Sequence, residues 1–132
     1  MSYSIGEFSA IINLSIDTLR YYEKEQLILV MRDVAGRRRY TEADIGWILF
    51  IKKLKETGMP IQRMKKYASL RYQGDFTLAE RLKMLEQHRL LVLEKKAKWE
   101  SNLERLEEKI DIYKNKIAEY DKKLYFTQAN IS

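Results

Sequence analysis

The sequence has no cysteine, one histidine, one proline and five glycines in 132 residues. Without cysteine there is no disulfide, thiolate metal site, thiol nucleophile or thiol redox sensor. The single histidine, His88, sits between Gln87 and Arg89 in a charged helical stretch, where a solvent-facing ring is expected rather than a catalytic one. Glu107 and Glu108 are adjacent, so on a helix they diverge by about 100° and cannot share a substrate. No Gly-rich phosphate loop or metal-ligand spacing occurs. The expectation is therefore a protein that is not an enzyme and takes no cofactor. No apolar run approaches the roughly 18 residues of a membrane span, and the N-terminus lacks a basic-plus-apolar signal pattern. A cytoplasmic location with no membrane partner is expected.

What is present is charge and helical periodicity. Charged residues make up 33% of the chain and hydrophobic ones 45%, a balance that supports folding rather than disorder. The length suits one modest core plus an extended element. Residues 1–75 hold 13 Lys and Arg against 9 Asp and Glu, and residues 76–132 hold 12 against 10, which together give the net charge of +6. The basic excess is concentrated in the first part, which suits a polyanionic partner.

Ser4 and Glu7 have capping-box spacing, so a helix is expected from Ile5, with Phe8, Ile11 and Ile12 at helical spacing. "NLS" (Asn13 to Ser15) breaks it, and Ser15 can cap a second helix from Ile16 to about Glu25. Two short helices joined this tightly make a helix-turn-helix. Leu29, Val30 and Met31 read as a strand, "DVAG" as a turn, and Arg37 to Tyr40 as the returning strand of a wing. Thr41 with Asp44 opens a third helix that stops at Gly58. Pro60 suits the first turn of a fourth, reaching about Arg71, and "YQGD" (Tyr72 to Asp75) reads as a linker.

Beyond Asp75 there is no Gly or Pro, and Thr77 with Glu80 repeats the capping-box spacing. Leu78, Leu82, Leu85, Arg89, Val92, Lys96, Trp99, Leu103, Leu106, Ile110, Tyr113, Ile117, Tyr120 and Leu124 follow at alternating spacings of four and three. Only Arg89 and Lys96 break this apolar seam. Sustained heptads of this kind predict a coiled coil, and a helix of roughly 70 Å with such a seam needs a partner chain. A homodimer follows. The break at Arg89 and Lys96 is read three ways: as charge pairing with Glu residues of the opposing helix, as snorkelling cations, or as a local opening near Trp99 and Tyr113 that admits a small apolar effector.

The second helix of a helix-turn-helix enters the DNA major groove. "SIDTLRYYEKEQLI" (Ser15 to Ile28) places Arg20 there, able to pair with guanine or grip a phosphate. Tyr21 and Tyr22 follow, with hydroxyls that can donate to phosphate oxygens while their rings brace the helix. Arg37, Arg38 and Arg39 lie on the wing, and Lys55 near the end of the third helix can add a phosphate contact. Taken singly, a Tyr-Tyr pair is commonly core and an arginine run commonly a solvated turn; the combination is what points to double-stranded DNA.

"YSIGEFSAIINLSIDTLRYYEKEQLI", "GRRRYTEADI" and "LKETGMPIQRMK" resemble the MerR family of bacterial transcription regulators over about residues 1–75. The resemblance implies a mainly α fold, with a winged helix-turn-helix DNA-binding domain at 1–75 and a dimerisation helix at 76–132 forming an antiparallel coiled coil. It implies homodimers that bind pseudo-palindromic promoter sites with an overlong spacer and distort that spacer, acting on RNA polymerase indirectly. Carried onto this chain, the DNA contacts are Thr18, Arg20, Tyr21, Tyr22, Arg37, Arg38, Arg39 and Lys55. The aromatic that commonly follows the wing glycine is here Arg37. The later segments are similar to the aldehyde and thiol-stress branch, but Lys53 stands where its cysteine would be. The metal-sensing branches are excluded by the same lack of cysteine, and no ligand-binding domain is expected after the coiled coil. Effector identity, operator and sign of regulation stay open. The competing reading is a coiled-coil adaptor or structural protein without specific DNA binding.

Overall fold

The computed structural model describes residues 1–131, with only the backbone of Asn130 and Ile131. A short strand, β1 (Ser2–Tyr3), comes first; its two residues are too few to leave a periodic signal in the sequence. Helix α1 (Ile5–Ile12) opens on the expected capping box, with Ser4 Oγ accepting from the Glu7 N–H at 3.2 Å and Glu7 Oε1 accepting from the Ser4 N–H at 2.9 Å. Asn13, at φ 54°, ends it in the left-handed conformation that asparagine tolerates. The Lys52 ammonium donates to the Ile12 carbonyl at 3.0 Å, a cation at the helix end where the macrodipole favours one. Helix α2 (Ile16–Lys24) starts on Ser15, whose hydroxyl accepts from the Thr18 N–H at 3.1 Å.

The wing is β2 (Met31–Arg32) and β3 (Arg38–Thr41), and the antiparallel sheet runs β1-β3-β2. The first strand starts later than the Leu29–Met31 pattern suggests. Leu27 and Ile28 are drawn into the core, and the Leu29 N–H donates to the Tyr72 hydroxyl at 3.1 Å instead of to a ladder. Between the strands, Asp33 Oδ1 accepts from the N–H groups of Ala35 and Arg37, both at 3.0 Å, and Gly36 turns the chain at φ +80°. Arg37 therefore belongs to the turn, and β3 begins one residue later than expected.

Helix α3 (Glu42–Glu56) starts on the Thr41–Asp44 capping box. Helix α4 (Ile61–Gln73) follows Pro60, which is its N-cap rather than part of its first turn. A 3-10 turn (Asp75–Thr77) leads into α5 (Leu78–Ile131). Thr77 does not act as the expected cap. Its buried hydroxyl lies 2.6 Å from the Leu70 carbonyl and 2.7 Å from that of Gly74, and it accepts from Arg81 Nε at 3.0 Å. It ties α5 back onto α4.

The chain divides into two units, Met1–Leu90 and the part from Leu91 onward. The first holds the core, built on Phe8, Ile12, Leu19, Leu27, Ile28, Tyr40, Ile48 and Ile51. Trp47 anchors one side: its indole N–H donates to the Leu27 carbonyl at 2.8 Å, its ring stacks on Tyr67, and the Arg71 guanidinium lies 4.3 Å from its centroid. His88 is half-buried, and its Nε2 lies 2.7 Å from the Thr57 hydroxyl at the end of α3, so the solvent-facing expectation does not hold. The second unit is a single stretch of helix about 60 Å long. Along it Trp99, Leu103, Leu106, Tyr113, Ile117, Tyr120 and Leu124 of the seam are exposed.

Candidate nucleic-acid interface

Helix α2 is two-faced. Leu19 and Tyr22 turn inward and are buried, while Arg20 and Tyr21 stand in solvent. Arg20 has only a 3.8 Å contact with Asp17, between two exposed side chains, which is worth little in water and leaves the guanidinium available. Thr18 is half-buried and shares a 2.8 Å hydrogen bond with the Ser15 hydroxyl, so it belongs to the helix cap as well as to the face. Tyr22 is 2% exposed. Its ring is core, and burial, then the neighbouring Tyr21, raise its pKa.

Tyr21, Tyr22 and Lys55 come together. With Met59, Ile61 and Met64 they line one cleft of about 190 Å³ between α2, the end of α3 and the start of α4. Three of the residues named from sequence thus share a concavity with a cation and two phenols at its wall. Helix α4 starts at its edge on the N-cap Pro60, and among the described residues no side chain accepts from its first N–H groups.

The three wing arginines differ. Arg37 is exposed and reaches Asp33 at 3.1 Å; that carboxylate's pKa is lowered, first by the Arg37 backbone N–H. Arg39 donates to Ser2 Oγ at 3.1 Å and to the Ser2 carbonyl at 3.0 Å, pinning β1 to the sheet. Arg38 is half-buried, and its Nε donates to Glu23 Oε2 at 2.5 Å, a bond that raises its pKa. Arg32 takes the other oxygen of Glu23 at 3.0 Å. Glu23 and Arg32 belong to no pairing motif of the sequence. The only local signal for Glu23 is its place one helical turn after Arg20, and pairing across the wing leaves no mark in the sequence.

Lys96 pairs with Glu100 on its own helix at 3.8 Å, an i,i+4 contact. The shallow apolar groove farther along is lined by Leu106, Lys109, Ile110, Tyr113, Lys114 and Ile117; Tyr113 belongs to it and Trp99 does not. Among the described residues no group of His, Asp or Glu is arranged to hold a metal ion, and no helix is long and apolar enough to cross a membrane.

A helix-turn-helix with an outward Arg-Tyr face beside a basic hairpin defines a DNA-binding transcriptional regulator. The chain belongs to the MerR family: residues 3–71 match the sequence model described as the MerR HTH family regulatory protein. It is 36% identical over 114 residues to an uncharacterized HTH-type transcriptional regulator of Haemophilus influenzae, covering 86% of this chain and 84% of that protein. It also resembles the crystal structure of HiNmlR, a MerR family regulator lacking the sensor domain, bound to promoter DNA. There the TM-score is 0.79 at 35% identity, covering 87% of this chain and 92% of that one. A MerR-family regulator structure from Listeria monocytogenes matches at TM-score 0.91 and 30% identity, over 98% of this chain and 99% of that one. The protein is a regulator and not an enzyme, and the adaptor reading is not favoured.

Proposed function

We propose that two copies pair through α5 and bind a pseudo-palindromic promoter site, changing transcription by distorting the spacer between the elements RNA polymerase reads. Residues 1–75 read the DNA and residues 76–132 pair the chains. The observation that carries the reading is the exposed Arg20–Tyr21 face of α2 with Tyr22 and Lys55 in the adjoining cleft.

In this reading Arg20 contacts a guanine edge or phosphate, and Tyr21, Tyr22 and Lys55 clasp a phosphate in the cleft. The open N-terminus of α4 adds donors to the same phosphate. Arg37 and Arg39 touch the backbone from the wing and set the register, while Arg38 and Thr18, each already paired within the chain, border the surface. Support for pairing is the exposed seam from Trp99 to Leu124, an apolar stripe too long to stand in water alone. Bending and untwisting a promoter spacer costs a few kcal/mol, which the contacts of two reading heads can supply.

The test is a gel-shift titration against a duplex that the wild-type protein enriches from a randomised pool, repeated across salt concentrations. Binding of two chains per duplex is expected, with the logarithm of affinity falling linearly in the logarithm of salt by about 0.9 per neutralised phosphate. No enrichment, or a shift indifferent to salt, would refute the reading.

A further inference from the structure

Glu23, near the end of α2, is held by both strands of the wing. Its Oε1 accepts from Arg32 Nη2 on β2 at 3.0 Å, and its Oε2 accepts from Arg38 Nε on β3 at 2.5 Å. Arg32 and Arg38 are directly opposed in the strand register. Like charges so placed repel, and one carboxylate between them turns the repulsion into a clasp. Arg32 also donates through Nη1 to the Gly36 carbonyl at 3.0 Å, which carries the clasp to the turn at the wing tip. Two residues after Arg38 comes Tyr40, whose ring stacks on Phe8 in the core.

An acidic side chain beside a DNA-reading helix opposes binding by simple charge. The position makes sense by geometry. The geometry points to Glu23 as a positioning residue: it locks the wing to the recognition helix, so that Arg37 and Arg39 meet the duplex in register with Arg20, one helical turn earlier. Glu23 itself does not touch DNA. The inference rests on the DNA-contact reading of Arg20 and the wing given above.

Charge and geometry predict opposite signs, which makes the test direct. Glu23→Gln removes a negative charge and releases two arginines, so charge alone predicts tighter binding to every duplex. Positioning predicts that affinity for the enriched duplex falls on the order of tenfold, the scale of one or two lost protein–DNA contacts. Affinity for a random duplex is then unchanged or higher. Hydroxyl-radical footprinting should lose the wing-protected phosphates while those beside α2 stay protected. Glu23→Asp keeps the charge and shortens the reach by one methylene, so it should show the same footprint change more weakly and guards against a Gln variant that fails to fold. A parallel rise in both affinities, uniform fading of the whole footprint, or a wild-type footprint in Glu23→Asp would overturn the inference. A wild-type protein with no preference for its enriched duplex would bring down the underlying contact reading, and this inference with it.

Discussion

Tyr40 lies flat on Phe8, with ring centroids 4.3 Å apart and planes 8° from parallel. The stack joins β3 of the wing to α1 of the helix-turn-helix, and both residues are fully buried. The Tyr40 hydroxyl, however, is buried with no hydrogen-bond partner among the described residues. An unpaired buried hydroxyl costs about 1–3 kcal/mol. Tyr40→Phe keeps the stack and removes that cost, so it should raise stability by about 1 kcal/mol in urea denaturation. A clear loss of stability would mean the hydroxyl is satisfied after all, as by an internal water.

The same residue sets an alkaline limit. Burial pushes the Tyr40 pKa from 10.0 up to about 12, with Glu23 adding to the shift and Arg38 opposing it. Between those values the unfolded chain releases the proton and the folded chain keeps it. The stability tied to the neutral phenol is therefore complete below about pH 10 and is lost as pH rises toward 12. Over that window the wild type should lose about 2 kcal/mol more than Tyr40→Phe. Identical pH profiles for the two proteins would contradict the burial argument.

Trp47 combines a buried hydrogen bond with the aromatic cluster of Phe50, Tyr67 and Tyr72. Trp47→Phe orphans the Leu27 carbonyl and leaves space beneath Arg71. It should cost about 2–3 kcal/mol, read by the shift in denaturation midpoint. Trp99 is exposed, so the blue-shifted part of the fluorescence should disappear in this variant alone.

Arg20→Ala should remove the preference for the enriched duplex, a loss of about 1–3 kcal/mol if the guanidinium reads a base edge. The oligomeric state and circular dichroism should not change, because the side chain is exposed and only weakly paired. Fluorescence anisotropy showing the same affinity as wild type would remove Arg20 from the contact set.

Ile110→Glu places a charge in the seam at a position exposed in the single chain. Sedimentation velocity should show the variant dissociating at a concentration at least about tenfold higher than wild type. The Trp47 emission should stay as it was. An unaltered sedimentation profile would mean that the seam is not the pairing surface.

Much of the molecule was legible locally. The caps at Ser4, Ser15 and Thr41 act within three residues, so their spacing is written in the chain and the structure repeats it. The long helix was legible because nothing after Gly74 interrupts it. Thr77 and Glu80 have the same cap spacing, yet the Thr77 hydroxyl turns to the Leu70 carbonyl. A local rule was overridden there by a partner seven residues away. His88 likewise found Thr57, 31 residues earlier, which no periodicity could announce.

Helix periodicity and capping are short-range physics, so the order of helices, the helix-turn-helix, the apolar seam and the cations and phenols of α2 and the wing are all written along the chain. Tertiary structure alone decided which of those residues are free to act. It sent the Tyr22 ring into the core beside an exposed Tyr21, bound Arg38 to Glu23 and left Arg20 in solvent. The reason is that burial and ion pairing depend on which segments meet across the fold, and the α2–wing contact joins residues up to fifteen positions apart.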